Sequence, residues 1–380
     1  MTARISLIQG KRAVIDRAYS SGNSNRYTSQ TMEYRTLGRT DIKVSVIGLG
    51  TMTFGEQNTE AEGHEQIDYA LDHGVNLIDT AEMYSVPPCA ETYGSTERII
   101  GTWLKKTGKR DKVVLCTKVA GRATEMLPLD YVRGGKNKLD RKNILAAVDA
   151  SLQRLQTDYI DIYQMHWPDR STNFFGQMGY QHVENDESVP IEETLEVMTG
   201  LVREGKIRYV GLSNETPWGM HRYLQAAEQR GLARVVSIQN PYNLLNRTFE
   251  IGLAEMAIRE KVGLLAYSPL AFGVLSGKFL NGARPPEARV VRWARFARYN
   301  GEIADRTATA YVAIARKHGL DPSQMALAFV NRQRFLTSNL IGATSMAQLK
   351  TNLGSAEVKL SPEVINDIEA VHRAQPNPCP

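Results

Sequence analysis

Eight short runs of aliphatic and β-branched residues recur along this chain, separated by longer stretches of helical period. The runs are VSVIGLG (44–50), VNLID (75–79), VVLCTKV (113–119), YIDIYQMH (159–166), IRYVGLS (207–213), VVSIQN (235–240), VGLLAYS (262–268) and LIGA (340–343). Apolar runs this short read as strands, and near-continuous apolarity points to burial on both faces. Between them EGHEQIDYALDHG, STERIIGTWLKKTG, RKNILAAVDASLQRLQ, IEETLEVMTGLVREG, WGMHRYLQAAEQRG, FEIGLAEMAIRE and TATAYVAIARKHG read as helices. Several close on Gly, which adopts the left-handed C-cap conformation without a Cβ penalty. Strand and helix alternation implies parallel pairing through helical crossovers, and its closed solution is the α/β (β/α)8 TIM barrel. Ahead of the first run, EYRTLG joined to IKVSVIG through RTD reads as a β-hairpin that plugs the barrel bottom.

A doubly wound nucleotide-binding sheet would alternate in the same way, but its fingerprint is missing. Gly48-Leu-Gly50 is followed by Gly55, with four residues where G-x-G-x-x-G has two. Gly273 to Lys278 is one residue short of a phosphate-binding P-loop and lacks its hydroxyl. With 380 residues, 42% of them hydrophobic, the chain can bury one large core. That core is expected over 32–373. Residues 1–31, basic and rich in Ser and Asn, read as a disordered extension or a start placed too far upstream, and 374–380 as a loose tail.

Several function classes are disfavoured. No apolar run approaches the roughly 20 residues of a membrane span. A formal charge of +5, with no long Lys/Arg block, gives little reason to expect nucleic acid. Three separated cysteines and no HExxH or zinc-type spacing suggest a reducing, cytoplasmic setting and no metal. The oligomeric state is not legible.

Polar residues at the C-terminal ends of barrel strands converge at one mouth. Asp79 ends the second run, Lys118 lies in the third, His166 ends the fourth, and Tyr84 follows Asp79 on a loop. Singly, Asp79 reads as a helix cap, Tyr84 as packing and His166 as a loop histidine. Lys118 resists such a reading, because an unpaired ammonium among apolar neighbours costs several kcal/mol, so it needs an anion such as Asp79. A tyrosine beside that lysine is expected to have its pKa lowered from about 10 and to exchange protons near neutrality. His166 would then orient a carbonyl oxygen.

The segments GLGTMTFG, NLIDTAEMY, CTKV, YQMHWPD, GKIRYVGLSNE, QNPYN, AYSPLAFGVLSGKF and IGATSMAQLKTNL, taken in order, resemble the signature segments of the aldo-keto reductase superfamily. TMTFGEQN, RKNI, RLQTDY and NLLNR are most similar to the bacterial Tas-type reductases, relatives of the potassium-channel β-subunits. The resemblance covers about residues 32–373. It implies a (β/α)8 barrel that reduces aldehydes or ketones with NADPH, through a tetrad matched by Asp79, Tyr84, Lys118 and His166. In that chemistry hydride passes from nicotinamide to the carbonyl carbon while the tyrosine protonates the oxygen.

For the cofactor the resemblance implies Thr51 and Met52, then Ser213, Asn214 and Gln239 at the carboxamide and Tyr267 stacked on the ring. Ser268, Pro269, Leu270, Gly273, Leu275, Gly277 and Lys278 would loop over the pyrophosphate, and Gly342, Thr344, Ser345, Gln348 and Asn352 would meet the adenosine. Gly342 and Gln348 stand where well-known members carry cations for the 2′-phosphate, so NADH use is not excluded. Arg289, Arg292, Arg295 and Arg298 are alternative cations. Met52, Phe54 and Trp167 are expected near the reacting carbonyl, walled by Phe174, Phe175 and Tyr180. The channel relatives suggest a second possibility, a cofactor-binding redox-sensing subunit with slow turnover.

Overall fold

Residues 32–380, apart from Met126, are described by a computed structural model. The extension expected over 1–31 lies outside the described residues. β1 (Tyr34–Thr36) and β2 (Lys43–Ser45) form the antiparallel hairpin, Tyr34 opposite Ser45. The first apolar run then divides at Val46, and Ile47–Gly50 continues as β3, the first barrel strand. β4 (Leu77–Asp79), β5 (Val114–Val119), β6 (Ile160–Met165), β7 (Ile207–Ser213), β8 (Val235–Pro241), β9 (Gly263–Tyr267) and β10 (Leu336–Ile341) follow. All pair in parallel, and β10 returns to β3 to close an eight-stranded barrel, as expected.

β10 begins at Leu336 rather than Leu340. Its first half, Thr337, Ser338 and Asn339, looks polar yet is buried. Inside the protein Ser338 Oγ donates to Ser45 O at 2.8 Å and Asn339 Nδ2 to Asn331 Oδ1 at 2.8 Å, so burial leaves these donors satisfied. Helices Pro322–Asn331, Met346–Gly354 and Pro362–Ala374 join the seven read from the sequence; Asp321, Ser345 and Ser361 cap them, each accepting from a first-turn backbone N–H.

Strand pleat positions the site. Side chains two apart share a face, so Leu77 and Asp79, Cys116 and Lys118, and Ile162 and Gln164 all project into the barrel. The lower member of each pair is apolar. Leu77, Cys116 and Ile162 cluster with Val114, Val236, Leu265 and Leu340, and with Leu37 and Val44 of the hairpin, which close the bottom. The upper members are polar and gather at the C-terminal mouth.

The C-terminal residues differ from expectation. Asn377 Oδ1 accepts from Arg247 N at 2.7 Å, Cys379 N donates to Leu245 O at 3.0 Å, and the Cys379 side chain is buried. A Pro-rich segment has no apolar periodicity to reveal this anchoring, because single hydrogen bonds and one thiol hold it. Among the described residues no helix is long and apolar enough to cross a membrane, and no group of acidic, His and Cys side chains has metal-binding geometry.

Candidate active site

Asp79 ends β4 and Lys118 lies near the end of β5, with side chains 5% and 0% exposed. The Lys118 ammonium donates to Asp79 Oδ2 and to Thr80 O, both at 2.7 Å. The other carboxylate oxygen, Oδ1, accepts from Gln239 Nε2 at 2.8 Å and Gln164 Nε2 at 3.4 Å. Burial works to lower the Lys118 pKa, but Asp79, through its charge and its hydrogen bond and with support from Tyr84, outweighs it, and the pKa is raised. Lysine and aspartate are thus an ion pair inside the barrel mouth.

The ammonium lies 5.1 Å from the centre of the Tyr84 ring. Tyr84 is carried beyond β4 by a turn in which its N–H donates to Ala81 O at 3.1 Å. Its ring meets that of His166 edge-on, centroids 5.7 Å apart. The expected lowering of the Tyr84 pKa is not what the structure gives. Burial is the largest influence and raises it, Lys118 lowers it, Asp79 raises it again, and the net direction is upward. The phenol therefore holds its proton through neutrality.

His166 follows β6 and is buried, its Nδ1 without a partner among the described residues. Burial and then the Lys118 charge depress its pKa well below 6.5, so the ring is neutral. An unfolded histidine takes up a proton at about pH 6.5 while the native ring does not. Stability from this group is therefore present above about pH 6.5 and is lost, at roughly 1.4 kcal/mol per pH unit, as pH falls toward the folded value. Between pH 8 and pH 5 the wild-type Tm should fall further than that of His166→Gln; parallel declines would show that His166 is not held neutral.

The Aldo/keto reductase family profile matches residues 46–373. The chain belongs to the aldo/keto reductase family. It is 53% identical to the protein named Protein tas of Escherichia coli strain K12 over 349 residues, 92% of this chain and all of that one. An uncharacterized oxidoreductase YrpG of Bacillus subtilis strain 168 is 33% identical over 344 residues, covering 89% of this chain and 96% of the relative. An aldo-keto reductase of Babesia bovis is 41% identical over 255 residues, 64% of this chain and 88% of the relative. The chain is accordingly an oxidoreductase of the aldo/keto type, a family of nicotinamide-dependent enzymes acting on small carbonyl compounds.

The residues expected at an aldo/keto cofactor site fall into four groups around the mouth. At one side Thr51 Oγ1 donates to Asp79 O at 2.7 Å, and Met52 Sδ accepts from Arg289 Nη1 at 3.6 Å. Across it Ser213 Oγ donates to Gln239 O at 3.0 Å, Asn214 Nδ2 to His166 O at 2.8 Å, and the Tyr267 hydroxyl to Asn214 Oδ1 at 2.7 Å. After β9, Ser268, Pro269 and Leu270 lead into a 3-10 turn, Ala271–Ser276, containing Gly273 and Leu275 and ended by Gly277. Gly273 adopts φ 91°, a conformation that strains any residue with a Cβ, and the Lys278 ammonium lies against it, 2.9 Å from where a Cβ would stand.

The last group is a helix start. Ser345 caps Met346–Gly354, Thr344 N donates to Gln348 Oε1 at 2.9 Å, and Asn352 Nδ2 holds Gly342 O at 3.2 Å. Of the four candidate cations only Arg289 reaches Met52; its guanidinium stands beside the paired rings of Phe272 and Phe296, 5.7 and 5.4 Å from their centres. Arg292 stacks on Trp293, Arg295 senses Tyr131, and Arg298 engages Tyr267 and Tyr299.

Two expectations about the pocket fail. Phe54 is fully buried in the core against Gly63 and Ile99, because the turn after β3 directs it under the first helix. Tyr180 points outward, 60% exposed, its hydroxyl paired with His182. Trp167 packs beside His166 with ring centroids 5.1 Å apart, and Phe175 meets Trp167 and Phe174. A cavity of about 510 Å³ opens along 168–174, lined also by Arg122 and by Arg170, which pairs with Glu215 at 2.5 Å.

Gln164, which supports Asp79, was not among the expected residues. Its signal was present: in YIDIYQMH it stands two before His166, a polar residue on the inward face of an apolar strand.

Proposed function

We propose that this chain is an NADPH-dependent carbonyl reductase that converts small aldehydes or ketones to alcohols, with Tyr84 as the general acid. The carrying observation is the buried Asp79–Lys118 pair beneath a protonated Tyr84, with neutral His166 against the same phenol. Lys118 stabilises negative charge as it develops on the phenolic oxygen once the proton leaves. Asp79, held by Gln239 and Gln164, keeps that ammonium charged and in place. His166, neutral, supplies a hydrogen bond to the substrate oxygen without competing for the proton. Bound NADPH supplies the hydride. The apolar faces of Phe174 and Phe175, backed by the buried Trp167, fit an apolar substrate body.

The residues present fit an anionic cofactor. Lys278 and Arg289 converge on the loop after β9, and neither forms an ion pair among the described residues. Burial, and then Arg289, lower the Lys278 pKa, and burial lowers that of Arg289 to about 10. Two neighbouring cations without an ion-pair partner among the described residues mark a place for phosphate. We assign Arg289 to the 2′-phosphate, which Gly342 and Gln348 leave without a cation.

Fluorescence titration with NADPH and NADH, followed by turnover of 4-nitrobenzaldehyde, tests both parts. Arg289→Gln is expected to weaken NADPH binding about ten-fold and NADH binding much less. Equal losses would move Arg289 to the pyrophosphate, and unchanged affinities would remove it from the site.

A further inference from the structure

Between Asp79 and Tyr84 lies Glu82, a carboxylate with no part in the chemistry above and none of its side chain exposed. It is surrounded by donors. Arg133 reaches it with both terminal nitrogens, Nη1 to Oε2 at 2.5 Å and Nη2 to Oε1 at 2.9 Å. Ala120 N donates to Oε1 at 2.7 Å and the Tyr93 hydroxyl to Oε2 at 3.3 Å. The Glu82 backbone N–H donates to Lys118 O at 3.2 Å. One residue thus ties the loop that carries Tyr84 to the strand that carries Lys118 from both sides, by main chain at Lys118 and by side chain at Ala120.

Arg133 is itself held in an unusual place. It occupies the left-handed region (φ 48°) ahead of Gly134 and Gly135, and its Nε donates to Asn143 Oδ1 at 3.0 Å on the helix Arg141–Leu155. A non-glycine residue stays in that region when its surroundings over-determine it. Alongside, Glu97 pairs with Arg154 at 2.7 Å and accepts from the Thr117 hydroxyl at 2.5 Å, anchoring the outer face of β5 to the same helix. The two ion pairs brace the outer layer against the lysine strand.

We propose that Glu82, clamped by Arg133, is a positioning residue that sets the placement of the Tyr84 phenol over the Lys118 ammonium. The inference rests on the proton-donor reading of Tyr84. A misplacement of about 1 Å at a reacting group typically costs on the order of 100-fold in rate, whereas substrate and cofactor held elsewhere in the mouth are little affected. The expected signature is a loss in kcat with KM and NADPH affinity nearly unchanged.

The test uses the full chain with NADPH and 4-nitrobenzaldehyde. Removing Glu82 alone strands a buried guanidinium, so the principal variant is Glu82→Met with Arg133→Met, an apolar replacement of the whole pair that folds often tolerate. It should melt near the wild type, bind NADPH normally and lose about ten- to 100-fold in kcat. In a Tyr84→Phe background the same pair of substitutions should cost almost nothing more, because the group they position is gone. Glu82→Gln, which keeps an acceptor for Ala120 N, should retain more kcat than the methionine pair and carries the test if that pair does not fold.

Wild-type kcat in the folded methionine variant, or in Glu82→Gln if that is the variant that folds, would overturn the inference. So would a loss that multiplies in full with that of Tyr84→Phe, since Glu82 would then act other than through Tyr84. If Tyr84→Phe alone keeps wild-type kcat, the proton-donor reading fails first, which separates the two failures.

Discussion

Replacing Tyr84 by phenylalanine is expected to lower kcat for aldehyde reduction by about 10²- to 10⁴-fold, the range over which a positioned general acid acts. The change removes one oxygen and keeps the ring that meets His166 edge-on, so fold and NADPH affinity should stay close to wild type. Stopped-flow turnover with 4-nitrobenzaldehyde checks the first part and fluorescence titration the second. Retention of wild-type kcat would transfer the proton-donor role to another group. The raised Tyr84 pKa also fixes a sign. A phenol that keeps its proton above the ordinary value of about 10 supports reduction evenly across the neutral range, with decline only on the far alkaline side. A decline centred near pH 7 would contradict the direction of that shift.

Lys118→Met is expected to have the largest effect on stability. The ammonium is fully buried, and its removal leaves the Asp79 carboxylate inside the barrel. Breaking a buried pair from one side typically costs about 3–5 kcal/mol, because the remaining charge keeps its desolvation penalty. Gln239 and Gln164 still donate to Asp79 Oδ1, which places the expected loss toward the lower end. Chemical denaturation measures it. Adding Asp79→Asn should recover much of the stability, since no charge is then stranded, while turnover stays lost because nothing stabilises the developing phenolate. Full stability in the single variant would mean that the two groups are not a charged pair.

The barrel was legible because its signal is periodic and repeated. Eight apolar runs alternating with helical segments admit few closed arrangements, and polar ends on apolar strands single out Asp79, Lys118 and His166. The start of β10 was hidden by Thr337, Ser338 and Asn339, whose polarity is neutralised by partners remote in sequence. Phe54 was misplaced for a related reason: TMTFG carries no sign of which way its turn directs the ring. Cys379 and Asn377 were read as loose because one backbone and one side-chain hydrogen bond leave no pattern in composition.

The direction of the Tyr84 pKa shift could not be derived from spacing either. Sequence order shows that a lysine is near, and it does not show how much water reaches the phenol. Burial outweighs Lys118, so an expected lowering became a rise. Glu82 presents the same problem from the other side. Its position inside DTAEMY is plain, but its partner Arg133 lies on a distant loop, and their meeting depends on a left-handed turn at RGG.

Periodicity and strand-end chemistry are local properties, carried by residues whatever surrounds them, and from them follow the α/β barrel, the hairpin beneath it and the four polar residues at its mouth. Degree of burial, the long-range partners of Glu82 and Asp79, and the convergence of Lys278 with Arg289 are properties of packing. They depend on where loops of different strands come to rest and on how completely water is displaced, and those come into being only when the chain closes.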